Sequence, residues 1–138
     1  MSQFFKVFAY GTLQIPEVMR AVTGGESPAE PARLEGYARY GLAGRSFPGL
    51  RLQPGAVTDG LLYSGIDAAA LRRLDEFEDD FYRRETLGVI NASGDTVAAE
   101  VYVVPPEHYG LLIEQPWDLE EFRRTGLGAF MGRCRAGW

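Results

Sequence analysis

The chain has 138 residues, 46% of them hydrophobic and 12% aromatic; this is the usual size of one domain that buries a core without metals or disulfides, so residues 1–138 are read as a single domain. Fourteen Lys and Arg against nineteen Asp and Glu leave a net charge of -5, a field that opposes nucleic-acid backbones and anionic membranes and suits an amine-bearing ligand. The one cysteine, Cys134, cannot form a disulfide within the chain, and together with the one histidine, His108, it cannot build a Cys/His zinc site; a cytoplasmic protein without metal or cofactor is expected, of undetermined oligomeric state.

The first residues lack the apolar run and cleavage site of a secretory signal. Phe4 to Ala9 reads as a short buried strand that stops at Tyr10-Gly11-Thr12-Leu13, a glycine-containing loop. A short helix over about Pro16 to Val22 tolerates proline in its first turn and is broken by Gly24-Gly25-Glu26-Ser27-Pro28. Ala32 to Ala43 suits a long bent strand with a bulge at Gly36 or Gly41. The stretch from Phe47 to Gly55 is dense in turn formers, and a strand over Ala56 to Tyr63 follows it. Asp67 is a good N-cap for a helix over Ala68 to about Phe77. Tyr82 to Ile90 and Thr96 to Val104 alternate like two strands joined by the hairpin turn Asn91-Ala92-Ser93-Gly94-Asp95. Pro105-Pro106 ends the sheet. A last helix begins near Pro116-Trp117-Asp118, with Asp118 as candidate cap, and extends towards Met131 against the weakening effect of Gly126 and Gly128. No run of about 18 apolar residues exists to span a bilayer as a helix, and no internal repeat is visible. This strand-rich order predicts an α+β fold whose mixed sheet curls into a barrel, not a doubly wound parallel sheet.

Residues 74 to 80 read Leu-Asp-Glu-Phe-Glu-Asp-Asp, and an acidic run is ordinarily a solvated face. Helical phase separates its members. Ala70, Leu71, Leu74 and Phe77 make one apolar face; Glu78 falls close to that face and Glu76 opposite it. The acids also gather at a helix C-terminus, where the macrodipole favours cations, and such violations of a local stability rule concentrate at functional sites. Burial, like-charged neighbours and the helix end all push the Glu78 carboxyl upward, towards values useful for proton transfer. A buried structural carboxylate is the competing reading.

Phe8-Ala9-Tyr10-Gly11-Thr12-Leu13, Phe47-Pro48, Val57-Thr58-Asp59-Gly60-Leu61-Leu62-Tyr63, Leu74-Asp75-x-x-Glu78 and Tyr82-Arg83-Arg84 form an ordered set over about residues 4 to 104. Together they resemble the gamma-glutamylcyclotransferase-like, or AIG2-like, family, and Trp117-Asp118-Leu119-Glu120-Glu121-Phe122 resembles its endings. The resemblance implies a small mixed β-barrel with helices packed outside, and release of an amine or amino acid from a gamma-glutamyl group as 5-oxoproline. The family's catalytic glutamate maps onto Glu78. Its Tyr-Gly-Ser-Leu-type loop maps onto Tyr10, Gly11, Thr12 and Leu13, with threonine in place of the commoner serine in a loop that works through backbone groups. Tyr82 is implied as a pocket residue, although an aromatic at a strand start also serves packing.

Other residues carry weaker readings. Arg83 and Arg84 suit surface pairs with Asp79 or Asp80, of little energetic worth. Phe47-Pro48 resembles the family's loop beside the pocket. His108 reads as a loop histidine and Cys134, in a basic tail, as incidental. Gly24-Gly25 lacks the Gly-Lys-Ser/Thr of a phosphate loop. The leading expectation is therefore a gamma-glutamyl cyclotransferase with Glu78 as general acid/base; the alternatives are a binding or interaction module on the same barrel, and carboxylate-assisted hydrolysis of another amide.

Overall fold

The structure is a computed structural model that describes residues 3–78, 80–115, 117–128 and 130–131. Its elements are β1 (Phe4–Ala9), α1 (Pro16–Thr23), β2 (Ala29–Leu42), β3 (Pro48–Asp67), α2 (Ala68–Phe77), β4 (Arg83–Ile90), β5 (Thr96–Val103), β6 (Leu112–Ile113) and α3 (Leu119–Thr125). Two 3-10 turns, Thr12–Gln14 and Pro106–Leu111, join them.

Where local chemistry dictates an element, the expected boundaries hold closely. Pro16 opens α1, and Gly24, at φ 81°, closes it in the left-handed conformation. The Asp67 carboxylate accepts the Ala70 N–H at 2.8 Å and starts α2. In the β4–β5 turn, Asn91 Oδ1 accepts the amides of Ser93 and Asp95 at 3.0 and 2.9 Å. Helix α3 begins at the expected Asp118 cap but ends at Thr125, short of Met131, where the Gly126 N–H reaches Phe122 O at 2.8 Å.

The stretch from Phe47 to Gly55 corrects the expectation. It is not a region of turns, because β3 starts at Pro48 and runs unbroken to Asp67. Strand β2 pairs antiparallel with it from Ala29↔Tyr63 to Glu35↔Val57, then resumes at Tyr37↔Leu52 and continues to Gly41↔Pro48. The register shift falls at Gly36 on one strand and takes in Gly55 on the other, each at φ 87°. Proline and glycine here serve a bulge inside a ladder. The short β6, which the sequence did not signal, adds to the far end of β2 through Gly41↔Ile113 and Leu42↔Leu112.

The sheet order is β3-β1-β5-β4-β2-β6, with β2 also paired to β3. Five strands thus return on themselves as a ring, and β6 lies beside it. The β1–β5 pairing is parallel and the others antiparallel, so the barrel is mixed, as expected. Alternation along the strands separates two cores. Phe8 and Tyr10 join Leu34, Leu50, Leu62 and Val101 on one face, the interior of a closed ring. Val7 and Ala9 join Ile15, Val18, Leu71 and Leu74 on the other, beneath the helices. Adjacent residues Val7 and Phe8 are 0% and 1% exposed, because helices cover the outer side of β1 as fully as the barrel fills the inner. Burying one such side chain stabilises by about 1.5–3 kcal/mol. Among the described residues, no helix is long and apolar enough to cross a membrane.

Candidate active site

Strand β1 delivers its last residues to the mouth of the barrel. The Tyr10 ring stays in the interior core, and its hydroxyl donates to the Tyr102 carbonyl at 2.6 Å. Its own carbonyl accepts from Arg39 Nη1 at 2.9 Å. Beyond Gly11 the chain tightens into the first 3-10 turn, closed by Gln14 N–H to Gly11 O at 3.0 Å and Ile15 N–H to Thr12 O at 3.1 Å. Tyr63 Oη donates to Leu13 O at 2.7 Å. These bonds all use carbonyls of the loop, whereas the first amides of a helical turn have no acceptor within it.

Gly11 is dictated by its neighbour. A Cβ at this position would sit 2.8 Å from Pro48 Cγ and 2.9 Å from Pro48 Cδ, inside contact with a rigid ring. The Phe47-Pro48 segment therefore packs directly on the loop. Tyr82 Oη anchors that segment by donating to Pro48 O at 2.6 Å.

Glu78 arrives from the opposite bank. It is the C-cap of α2, with extended backbone at φ -71° and ψ 140°, and its N–H reaches Leu74 O at 3.0 Å. Helical phase places Phe77 correctly, but the direction of Glu78 is set by the chain's exit from the helix. The same geometry corrects the reading of Glu76: it is exposed yet lines the same cavity as Glu78, not the opposite side.

That cavity has a volume of about 440 Å³. Tyr10, Gly11, Thr12, Leu13, Glu78 and Tyr82 all line it, together with Phe47 and Pro48. Sequence reasoning missed further wall residues, among them Asp80, which it had placed in a surface pair, and Phe77, Tyr102 and Phe130. Phe77 was assigned only to the core, Tyr102 sits in an ordinary strand alternation, and nothing near Phe130 in the sequence signals a pocket. Arg83 and Arg84 are not in the wall. Arg84 Nε lies 3.1 Å from Asp75 Oδ1 and its Nη1 3.0 Å from Glu100 Oε1, while Arg83 Nη2 is 3.8 Å from Glu85 Oε2. Asp79 and Cys134 lie outside the described residues. His108 falls in the second 3-10 turn and contributes nothing to the cavity.

The electrostatics tie the two banks together. Burial raises the Tyr10 phenol well above its ordinary pKa, the charge of Glu78 raises it further, and Arg39 opposes both. Burial also raises Tyr102, reinforced by its hydrogen bond to Asp75 and by the charges of Asp75 and Glu78, with Arg84 opposing. Both phenols are held protonated, as hydrogen-bond donors. The charge of Glu78 thus acts on both Tyr10 and Tyr102, and all three residues line the cavity.

Comparisons with known proteins point the same way. The family model described as "Gamma-glutamyl cyclotransferase, AIG2-like" matches residues 7–119. AIG2-like protein C of Arabidopsis thaliana is 33% identical over 125 residues, covering 87% of this chain and 70% of that protein. A solution structure of an Arabidopsis thaliana protein superposes with a TM-score of 0.71 at 29% identity, covering 97% of this chain and 81% of the other. The crystal structure of a mouse AIG2-like protein gives a TM-score of 0.61 at 28% identity, over 84% of this chain and 89% of that one. Sequence, barrel and cavity agree, and the chain belongs to the AIG2-like gamma-glutamyl cyclotransferase family.

Proposed function

We propose that the protein is a gamma-glutamyl cyclotransferase that converts a gamma-glutamyl amine or peptide to 5-oxoproline and the free amine. The observation that carries this reading is the sharing of one cavity by Glu78 and the loop Tyr10 to Leu13. In the reaction, the α-amine nitrogen of the substrate attacks its own γ-carbonyl carbon and forms the bond that closes a five-membered ring. Glu78, as general base, takes a proton from the attacking nitrogen. It then returns that proton to the leaving nitrogen as the bond between the γ-carbonyl carbon and that nitrogen breaks. One carboxylate serves both steps, with a contribution of about 10²- to 10⁴-fold from proton transfer.

The loop's part is positioning. Amides of Gly11, Thr12 and Leu13, at the open start of a turn, suit a substrate carboxylate or the oxyanion that develops on the γ-carbonyl oxygen. Glycine at residue 11 permits close approach of a ligand to the backbone. Tyr10 and Tyr82 complete the binding wall. Folding the substrate into attack geometry supplies much of the remaining acceleration.

The test is incubation with a panel of gamma-glutamyl amines and peptides and measurement of 5-oxoproline and glutamate. Cyclisation gives 5-oxoproline. Release of glutamate instead indicates attack by water, and binding without either product indicates a non-catalytic module.

A further inference from the structure

Phe130 is the wall residue that lies furthest from the others in sequence and outside residues 7–119 matched by the family model. It is buried, and its ring makes edge-on contacts with Phe47 at 6.3 Å and with Phe77 at 5.8 Å between centroids. Each of those neighbours belongs to a different bank. Phe47 precedes Pro48, whose ring packs on Gly11, and Phe77 precedes Glu78. One ring therefore spans the gap between the segment that supports the loop and the segment that carries the carboxylate. Behind it, Phe122 of α3 stacks edge-on at 5.6 Å, and the Phe130 N–H bonds to Gly126 O at 3.1 Å, so the ring is backed by packed structure.

This placement bears on one part of a substrate. Under the cyclotransferase reading, on which the inference rests, the leaving nitrogen must come within reach of Glu78. A substituent on that nitrogen that extends towards Phe77 meets the Phe130 ring packed edge-on against it. The gamma-glutamyl half is the same in every substrate; the substituent is what varies.

We infer that Phe130 is a specificity-determining residue that limits the bulk of the leaving amine. A shorter apolar residue at this position opens the wall between Phe47 and Phe77 without touching Glu78 or the loop. In a hydrophobic pocket, changes of one or a few carbons in size shift kcat/KM between substrates by roughly ten- to two-hundredfold.

The experiment compares gamma-glutamyl methylamide with gamma-glutamyl benzylamide in the wild-type protein and in Phe130→Leu and Phe130→Ala, with 5-oxoproline as the readout. The benzylamide-to-methylamide ratio of kcat/KM is expected to rise by at least roughly tenfold in Phe130→Leu and further in Phe130→Ala. A general loss of folding or of site geometry lowers both rates together and cancels in the ratio. An unchanged or lowered ratio, with the wild type active, overturns the inference and leaves the cyclotransferase reading intact. No 5-oxoproline from either compound or from a wider panel with the wild type overturns both.

Discussion

Glu78 and Gly11 meet across the cavity for different physical reasons, and each reason predicts a different kind of failure. Glu78→Gln keeps the size of the side chain and removes its ability to take and return a proton. Turnover should fall by at least about 10²- to 10⁴-fold with the thermal midpoint nearly unchanged, measured as 5-oxoproline formation beside a melting curve. Glu76→Gln, at an exposed residue on the edge of the same cavity, should change kcat by only a few fold; a loss equal to that of Glu78→Gln would transfer the base to Glu76. Gly11→Ala fails by crowding, since its methyl group enters Pro48 and the proline ring cannot swing away. The Phe47-Pro48 segment must shift, at a cost of roughly 1–3 kcal/mol. KM should rise more than kcat falls where the displaced amides hold the substrate carboxylate, and kcat should fall with KM little changed where they hold the oxyanion. Glu78 was legible as a cavity residue because it lies at a helix end, whereas Gly11 was marked by the resemblance of its loop, and the Pro48 contact that requires glycine there shows only in the fold. Phe130 was not legible, since its place in the wall comes from folding of a distant segment back onto Phe47 and Phe77.

Helix α2 carries Glu78 on its last turn, and that turn is bound to the barrel through Asp75. Asp75 Oδ1 accepts the Tyr102 hydroxyl at 2.7 Å and lies 3.1 Å from Arg84 Nε; Arg84 continues to Glu100, which accepts from Thr86 Oγ1 at 2.7 Å. The Arg84 pair is worth little, because its side chain and that of Asp75 are 31% and 41% exposed. The Tyr102 bond is worth more, since Tyr102 is buried and its donor has been taken out of water. Asp75→Ala should therefore cost about 1–3 kcal/mol, read as a lowered denaturant midpoint, and should slow turnover through a loosened helix end. Asp75→Asn retains an acceptor for Tyr102 and should recover most of both losses. Equal effects from the two variants would assign the contribution to the ion pair. The acidic run thus divides into a tether at Asp75 and carboxylates that line the cavity, Glu78 among them. Periodicity pointed at a residue that lines the cavity, but for an incomplete reason, because the last helical residue is Phe77. The β2–β3 ladder shows the opposite limit. Turn formers at Pro54-Gly55 read in the sequence as a loop ahead of a strand, but the partner strand β2 makes them a bulge inside one ladder.

A closed ring with helices over one side leaves several tyrosines without water, and this makes the whole molecule sensitive to alkali. Tyr10, Tyr63 and Tyr102 are each no more than 6% exposed, and burial is the first cause of a raised phenol in all three, with Tyr63 pushed up to about 12. In the unfolded chain the same groups ionise near about pH 10. A group with a raised folded-state pKa contributes its stability in full below the unfolded value and loses it as pH rises towards the folded one. Above about pH 10, unfolding therefore releases protons, and each of these tyrosines lowers stability by about 1.4 kcal/mol per pH unit. Three together remove about 4 kcal/mol per unit up to about pH 12, where Tyr63 stops contributing, a loss of about 8 kcal/mol against a typical stability of about 5–15 kcal/mol. The expected outcome is a cooperative alkaline transition above pH 10 in which tyrosinate absorbance and loss of far-ultraviolet dichroism move together for the buried tyrosines. Smooth ionisation of all seven tyrosines near about pH 10 with the dichroism intact would contradict the dry placement of Tyr10, Tyr63 and Tyr102. Tyr63→Phe separates the contributions. It removes one titrating group and the bond to Leu13 O, so it should make the alkaline transition less steep while lowering stability at neutral pH by about 1 kcal/mol.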